Sequence, residues 1–118
     1  MKRILIILST LILGCNYPTT SFWVNNNTDK EVHFTAGAVH LPTYSIRTLP
    51  FSVPPKDSVL VRRIGLKEGG DVTNVFGDIS FMTIDSVEIK DPMNPENWEK
   101  SKDQNGKPKF TFKVKSEN

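Results

Sequence analysis

No run of ten or more residues in this chain repeats its apolar positions with a helical period. The apolar residues come instead in short stretches, each closed off by proline, glycine, asparagine or aspartate. The cleanest is Phe110-Thr111-Phe112-Lys113-Val114-Lys115, where Phe110, Phe112 and Val114 share one parity and the lysines take the other. Period two of this kind marks a strand with one face buried and one in water. A chain built this way can hide its apolar surface only by pairing strands into sheets and packing those sheets together, so it predicts an all-β domain.

Phe22-Trp23-Val24 opens that domain as a first strand, its tryptophan serving core or near-membrane packing. Residues 25–30, Asn-Asn-Asn-Thr-Asp-Lys, form a turn of residues that bond their own backbone. Residues 31–36 alternate polar and apolar as a second strand, and the two together predict an opening hairpin. Pro42, Pro50, Pro54 and Pro55 confine the next segment to edge strands and crossing loops, because proline cannot donate to a sheet ladder. Residues 58–64 are β-rich with little alternation, which predicts a strand buried on both faces. Residues 72–77 admit a single helical turn, and residues 76–90 hold two strands, or one bent strand, around Asp85-Ser86. Residues 91–109 are polar and proline-containing and read as a long loop. Asn105-Gly106 favours a tight turn there that Pro108 lengthens. Six to eight short strands favour an antiparallel β-sandwich, immunoglobulin-like or related, with a small β-barrel as the second architecture.

Ahead of this domain lies a different kind of segment. Lys2 and Arg3 precede an apolar run from Ile4 to Leu13 that ends on Gly14 and Cys15, the sole cysteine. The run is too short for a membrane span, which needs about 20 apolar residues, and has the build of a secretory signal. Leu11-Ile12-Leu13-Gly14-Cys15 resembles the lipobox of bacterial lipoproteins. The resemblance implies cleavage before Cys15, a diacylglycerol on its thiol, and usually a further acyl chain on its new amino group. Several chains on one residue hold a protein at a membrane where a single chain does so only marginally. The expected organisation is therefore a signal peptide over 1–14, a lipidated cysteine with a short tether over 15–21, and a single β domain over 22–118. The expected location is the bacterial envelope, periplasmic or at the cell surface.

Loss of residues 1–14 takes Lys2 and Arg3 away and leaves 13 basic against 13 acidic residues among 104. The basic balance of the whole chain thus belongs to its targeting segment. Nucleic-acid binding, which runs on phosphate neutralisation, loses its compositional support. With Cys15 used as an anchor there is no disulfide, and packing alone must hold the domain.

Candidate chemistry is sparse. His33 and His40 are the only histidines, and with Glu31 they make an incomplete metal set at a spacing structural zinc does not use, so no metal is expected. The carboxylates are scattered, Gly69-Gly70 lacks the lysine-serine pair of a phosphate loop, and no Gly-x-Ser-x-Gly elbow exists, so neither cofactor nor catalytic residue is assigned. Trp23 and Trp98 invite a sugar-stacking reading, but Trp23 lies in an apolar strand and reads as packing. Trp98 stands alone in a polar stretch, either plugging the core or facing a partner. Arg62 and Arg63, with Lys67, form a small basic cluster that reads as a solvated strand end, the sharper alternative being contact with lipid headgroups or an acidic partner. Asp57-Ser58-Val59 and Asp85-Ser86-Val87 resemble the O-glycosylation acceptors of Bacteroidota, which makes Ser58 and Ser86 candidate sites. Asn26-Asn27-Thr28 matches the N-glycosylation pattern, which usually carries no meaning in a bacterium. The lipidated cysteine, short tether, Asn-rich turn and Phe-x-Phe-x-Val final strand resemble small Bacteroidota lipoproteins, and the resemblance implies no particular activity. The expectation is an envelope-anchored binding or structural module for a protein or glycan. An inhibitor or immunity lipoprotein against a cell-wall-attacking enzyme is one alternative. A small hydrolase or metal-dependent enzyme is another, and would need the histidines or paired acids to converge.

Overall fold

A computed structural model describes residues 18–40 and 45–117. The signal-like segment and Cys15 lie outside the described residues. Among the described residues eight strands form two sheets: β1 (Thr19–Asn27), β2 (Val32–His40), β3 (Ser45–Val53), β4 (Asp57–Gly65), β5 (Phe76–Phe81), β6 (Val87–Glu88), β7 (Trp98–Lys102) and β8 (Pro108–Ser116). The five-stranded sheet runs β4-β1-β8, with β7 and β6 sharing the far side of β8, and the three-stranded sheet runs β3-β2-β5. The chain is an all-β sandwich of two open sheets. Among the described residues one short α-helix, α1 (Val72–Val75), fills the expected helical turn and is capped by Asp71. No helix among the described residues is long and apolar enough to cross a membrane.

Alternation along the central strands builds the core. Phe22 and Val24 on β1 and Phe110, Phe112 and Val114 on β8 face Val32 and Phe34 on β2 and Phe76 and Ile79 on β5. All seven phenylalanines join aromatic contacts. Phe110 stacks on Phe22 at 5.0 Å, and Phe22 meets Phe76 edge-on across the sandwich at 5.6 Å. A second chain runs Phe51, Phe34, Phe81 and Phe112, crossing from one sheet to the other. Such pairs add roughly 0.5–1.5 kcal/mol each beyond the area they bury.

Several expectations are corrected. β1 and β2 form no hairpin, because they belong to different sheets. The chain swings between the sheets through a turn built on Asn26, which is fully buried. Its Nδ2 donates to the carbonyls of Lys30 (2.7 Å), Val53 (3.0 Å) and Pro54 (3.1 Å), and its Oδ1 accepts from Thr28 N (3.0 Å) and Thr28 Oγ1 (2.6 Å). The same burial puts the Asn26 amide out of reach of glycosylation.

β1 pairs with β8 in parallel, so the five-stranded sheet is mixed; the other strand pairs are antiparallel. β1 also starts at Thr19, which makes residues 19–21 part of the sheet and not of a tether. β4 is half-buried along most of its length, not buried on both faces, since it is an edge strand paired only with β1. A register shift opposite Phe22 and Trp23 leaves its Val61 without a partner. The polar 91–109 stretch is not all loop, because residues 98–102 form β7 against β8. β7 shows no alternation since only its first residue is buried.

Asn26→Ala should lower unfolding stability by about 3–5 kcal/mol, because it strands three carbonyls and two Thr28 groups in a dry site. Denaturant titration would read this as a lower midpoint with an unchanged slope. Asn26→Leu should be no better, as it restores volume but no hydrogen bond.

Candidate functional site

The inward parity of Phe22, Val24 and Asn26 turns Trp23, Asn25 and Asn27 to the outer face of the five-stranded sheet. Register then places β4 and β8 residues beside them. Arg63, Ser21 and Lys109 form one cross-strand row, Leu60, Trp23 and Thr111 the next, and Ser58, Asn25 and Lys113 the third. β7 adds Glu99 beside Thr111. The face is an open hollow of about 620 Å³ lined by Trp23, Asn25, Ser58, Thr111 and Lys113 among others. Its side chains offer an indole surface, amides, hydroxyls and ammonium groups, most of them on the two central strands.

Local contacts order this surface. Asn25 Nδ2 donates to Ser58 Oγ at 2.8 Å. The Lys109 ammonium sits 5.1 Å from the Trp23 ring centre, within cation–π range. Lys113 Nζ lies 2.8 Å from a Glu99 oxygen, and that bond holds the Glu99 carboxyl below the ordinary carboxylate range. At the end of the face nearest Thr19 stands the β7–β8 turn. There Asp103 Oδ1 accepts from the backbone N–H groups of Asn105 (2.8 Å) and Lys107 (3.0 Å), and Gly106 takes a positive φ of 76°. The Lys107 amide bond is the main cause that holds the Asp103 carboxyl below its ordinary value, with Arg63 a minor one.

The residues singled out in the sequence distribute differently. Trp98 is 6 % exposed. Its ring packs edge-on to Phe22 at 5.8 Å and tilted to Phe112 at 5.4 Å, while Nε1 donates to Pro92 O at 2.7 Å. It closes the core and its donor is satisfied, so the partner-facing role falls away. Arg62 and Arg63 do not form a cluster, because their registers put them on opposite faces of β4. Arg62 donates from Nη1 to Val75 O at 2.8 Å, tying the edge strand to α1, and partial burial pulls its guanidinium below its ordinary value. It is a structural residue. Arg63 is exposed and borders the β7–β8 turn.

His33 lies on the outer face of the three-stranded sheet, with Nε2 3.0 Å from Glu31 Oε1 and Nδ1 2.9 Å from Ser52 Oγ. His40 is at the other end of the same continuous strand, about 23 Å along the backbone by strand rise, so the fold-back needed to join the histidines does not occur. No group of three potential metal ligands assembles among the described residues. Of the two serines, Ser58 has its hydroxyl engaged by Asn25, whereas Ser86 is exposed in a turn at φ 67°.

Trp23 is the residue that reading for apolar clusters misses. The usable signal is period two across Thr20, Phe22, Val24 and Asn26, which leaves Trp23 on the opposite face. No protein-family model, curated protein or solved structure matches the chain.

The two tryptophans should separate cleanly by mutation. Trp98→Ala should cost about 3–5 kcal/mol of unfolding stability. Trp23→Ala should cost about 1 kcal/mol, the scale of a lost cross-strand and cation–π contact. Denaturation midpoints of the two variants against wild type give the comparison.

Proposed function

We propose that the protein is a lipid-anchored module of the bacterial envelope that binds a polar partner, protein or glycan, on the outer face of its five-stranded sheet. The single observation that carries the binding half is Trp23, a large aromatic on a solvent-facing strand position, framed by Asn25, Thr111 and Lys109. A tryptophan whose ring can cover an apolar patch while neighbouring amides and hydroxyls make hydrogen bonds is the residue type that dominates recognition surfaces. The anchoring half is supported by the Lys2-Arg3 start, the ten-residue apolar run and Gly14-Cys15.

Placement of the fold agrees with an anchored role. β1 begins four residues after Cys15, so Thr19 can lie no more than about 14 Å from the lipidated residue whatever the conformation between them. A domain held that closely presents its sheet faces beside the membrane with little freedom to wander.

A fatty-acid probe fed to cells should label the wild-type chain and leave Cys15→Ser unlabelled; equal labelling would remove the anchor. For binding, a photocrosslinker at Asn25 should give a discrete adduct in intact envelopes that disappears with Trp23→Ala. The same probe at Thr35, on the outer face of the other sheet, should not give it. Adducts that ignore Trp23 or appear equally at both positions would overturn the assignment of the face.

A further inference from the structure

At the Thr19 end of this face one polar atom has no visible reason to be where it is. Ser21 is 3 % exposed, yet its Oγ has no hydrogen-bond partner. An unpaired buried hydroxyl costs about 1–3 kcal/mol, and native folds satisfy nearly all such groups. The Ser21 backbone pairs with Arg63 on β4 and Lys109 on β8, so two cationic residues flank Ser21 in one cross-strand row. Two adjoining hollows, of about 440 and 140 Å³, share Ser21, Arg63, Asp103 and Asn105. Lys107 borders the smaller and Trp23 and Lys109 the larger, with Lys102 at its rim.

Charge and shape agree on the sign of an occupant. The hollows gather Arg63, Lys102, Lys107 and Lys109 against a single carboxylate, Asp103. That carboxylate is already turned to the backbone amides of its own turn, so it shapes the wall as well as offsetting charge. The Trp23 ring under Lys109 limits where the ammonium can go, which prepays part of the ordering cost of binding. Even the smaller hollow exceeds the roughly 30 Å³ share of one liquid water several-fold, so it has room for more than a single bridging solvent molecule.

We infer that this pocket binds a phosphate group, with the Ser21 hydroxyl donating to a phosphate oxygen and Arg63, Lys107 and Lys109 surrounding its charge. The group is carried by a phosphorylated sugar or by a lipid headgroup. The pocket itself does not depend on lipidation of Cys15. The headgroup as a source does, since it rests on the proposed anchor bringing β1 to the membrane surface.

The full chain in nonionic micelles, titrated with inorganic phosphate and followed by amide NMR, tests the site. Saturable shifts are expected at Ser21, Asn105, Lys107 and the Trp23 indole, and sodium chloride at matched ionic strength should not reproduce them. Ser21→Ala and Arg63→Gln should each weaken phosphate binding about tenfold, the scale of one hydrogen bond to a charged group. Ser21→Ala should leave the phosphate-free melting temperature unchanged or raised, because it removes an unsatisfied donor, and should show a smaller rise with phosphate than the wild type. Shifts equal in chloride, or unchanged in both variants, would mean ordered water and general screening only and would overturn the site.

Glucose 6-phosphate in solution and phosphatidic acid doped into the micelles then distinguish the sources. The Ser21-dependent shift with either supports the site, and its absence with both overturns it. A chain that takes no fatty acid at Cys15 yet keeps the Ser21-dependent shift retains the pocket and loses only the headgroup.

Discussion

The side-chain amide of Asn26 is the junction on which the two sheets depend. Its two N–H protons are shared among three carbonyls, one in the β1–β2 connection and two at the end of β3 and the turn beyond it, while its oxygen gathers Thr28. Those groups belong to the segments that carry the chain from one sheet to the other. In a dry interior each bond is stronger than in water, and each loss leaves an unpaired partner. With no second cysteine to form a cross-link, this polar knot at one end and the phenylalanine network through the middle fix how the sheets meet.

The outer face inherits its order from that junction. Asn26 has to point inward to reach its carbonyls, which sets the parity of all β1 and turns Trp23 and Asn25 outward. Parallel pairing with β8 then brings Lys109, Thr111 and Lys113 alongside. The candidate binding surface therefore stands on two central strands. A tryptophan, two amides and a set of cations are carried there by strands paired on both sides. The same register places Ser21 between Arg63 and Lys109 at the end nearest the proposed anchor, where a membrane-borne or glycan-borne phosphate would be met first.

Much of the fold could be read from pattern alone. The alternation of Phe110, Phe112 and Val114, the helical turn near residue 72 and the break at Asp85-Ser86 all correspond to observed structure. The differences share a cause: neighbours in the sequence are not neighbours in space. Two strands around an Asn-rich turn suggested a hairpin, but Asn26 bonds groups 27 and 28 residues away and sends the chain to another sheet. Arg62 and Arg63 suggested a patch, but successive strand residues face opposite ways. Trp98 looked isolated because its partners, Phe22 and Phe112, are remote in sequence.

By itself the sequence determined the all-β class, because period two, frequent turn residues and the lack of any helical period leave no other way to bury so many phenylalanines. It also determined the charge neutrality of residues 15–118, which is a matter of counting. Tertiary structure alone decided which tryptophan is core and which is surface, and which arginine is spent on α1. It also decided that Ser21, with its unpaired hydroxyl, pairs in register with two cationic residues. Those outcomes depend on strand order and register between residues up to roughly 90 positions apart, and no local pattern encodes pairing over that distance.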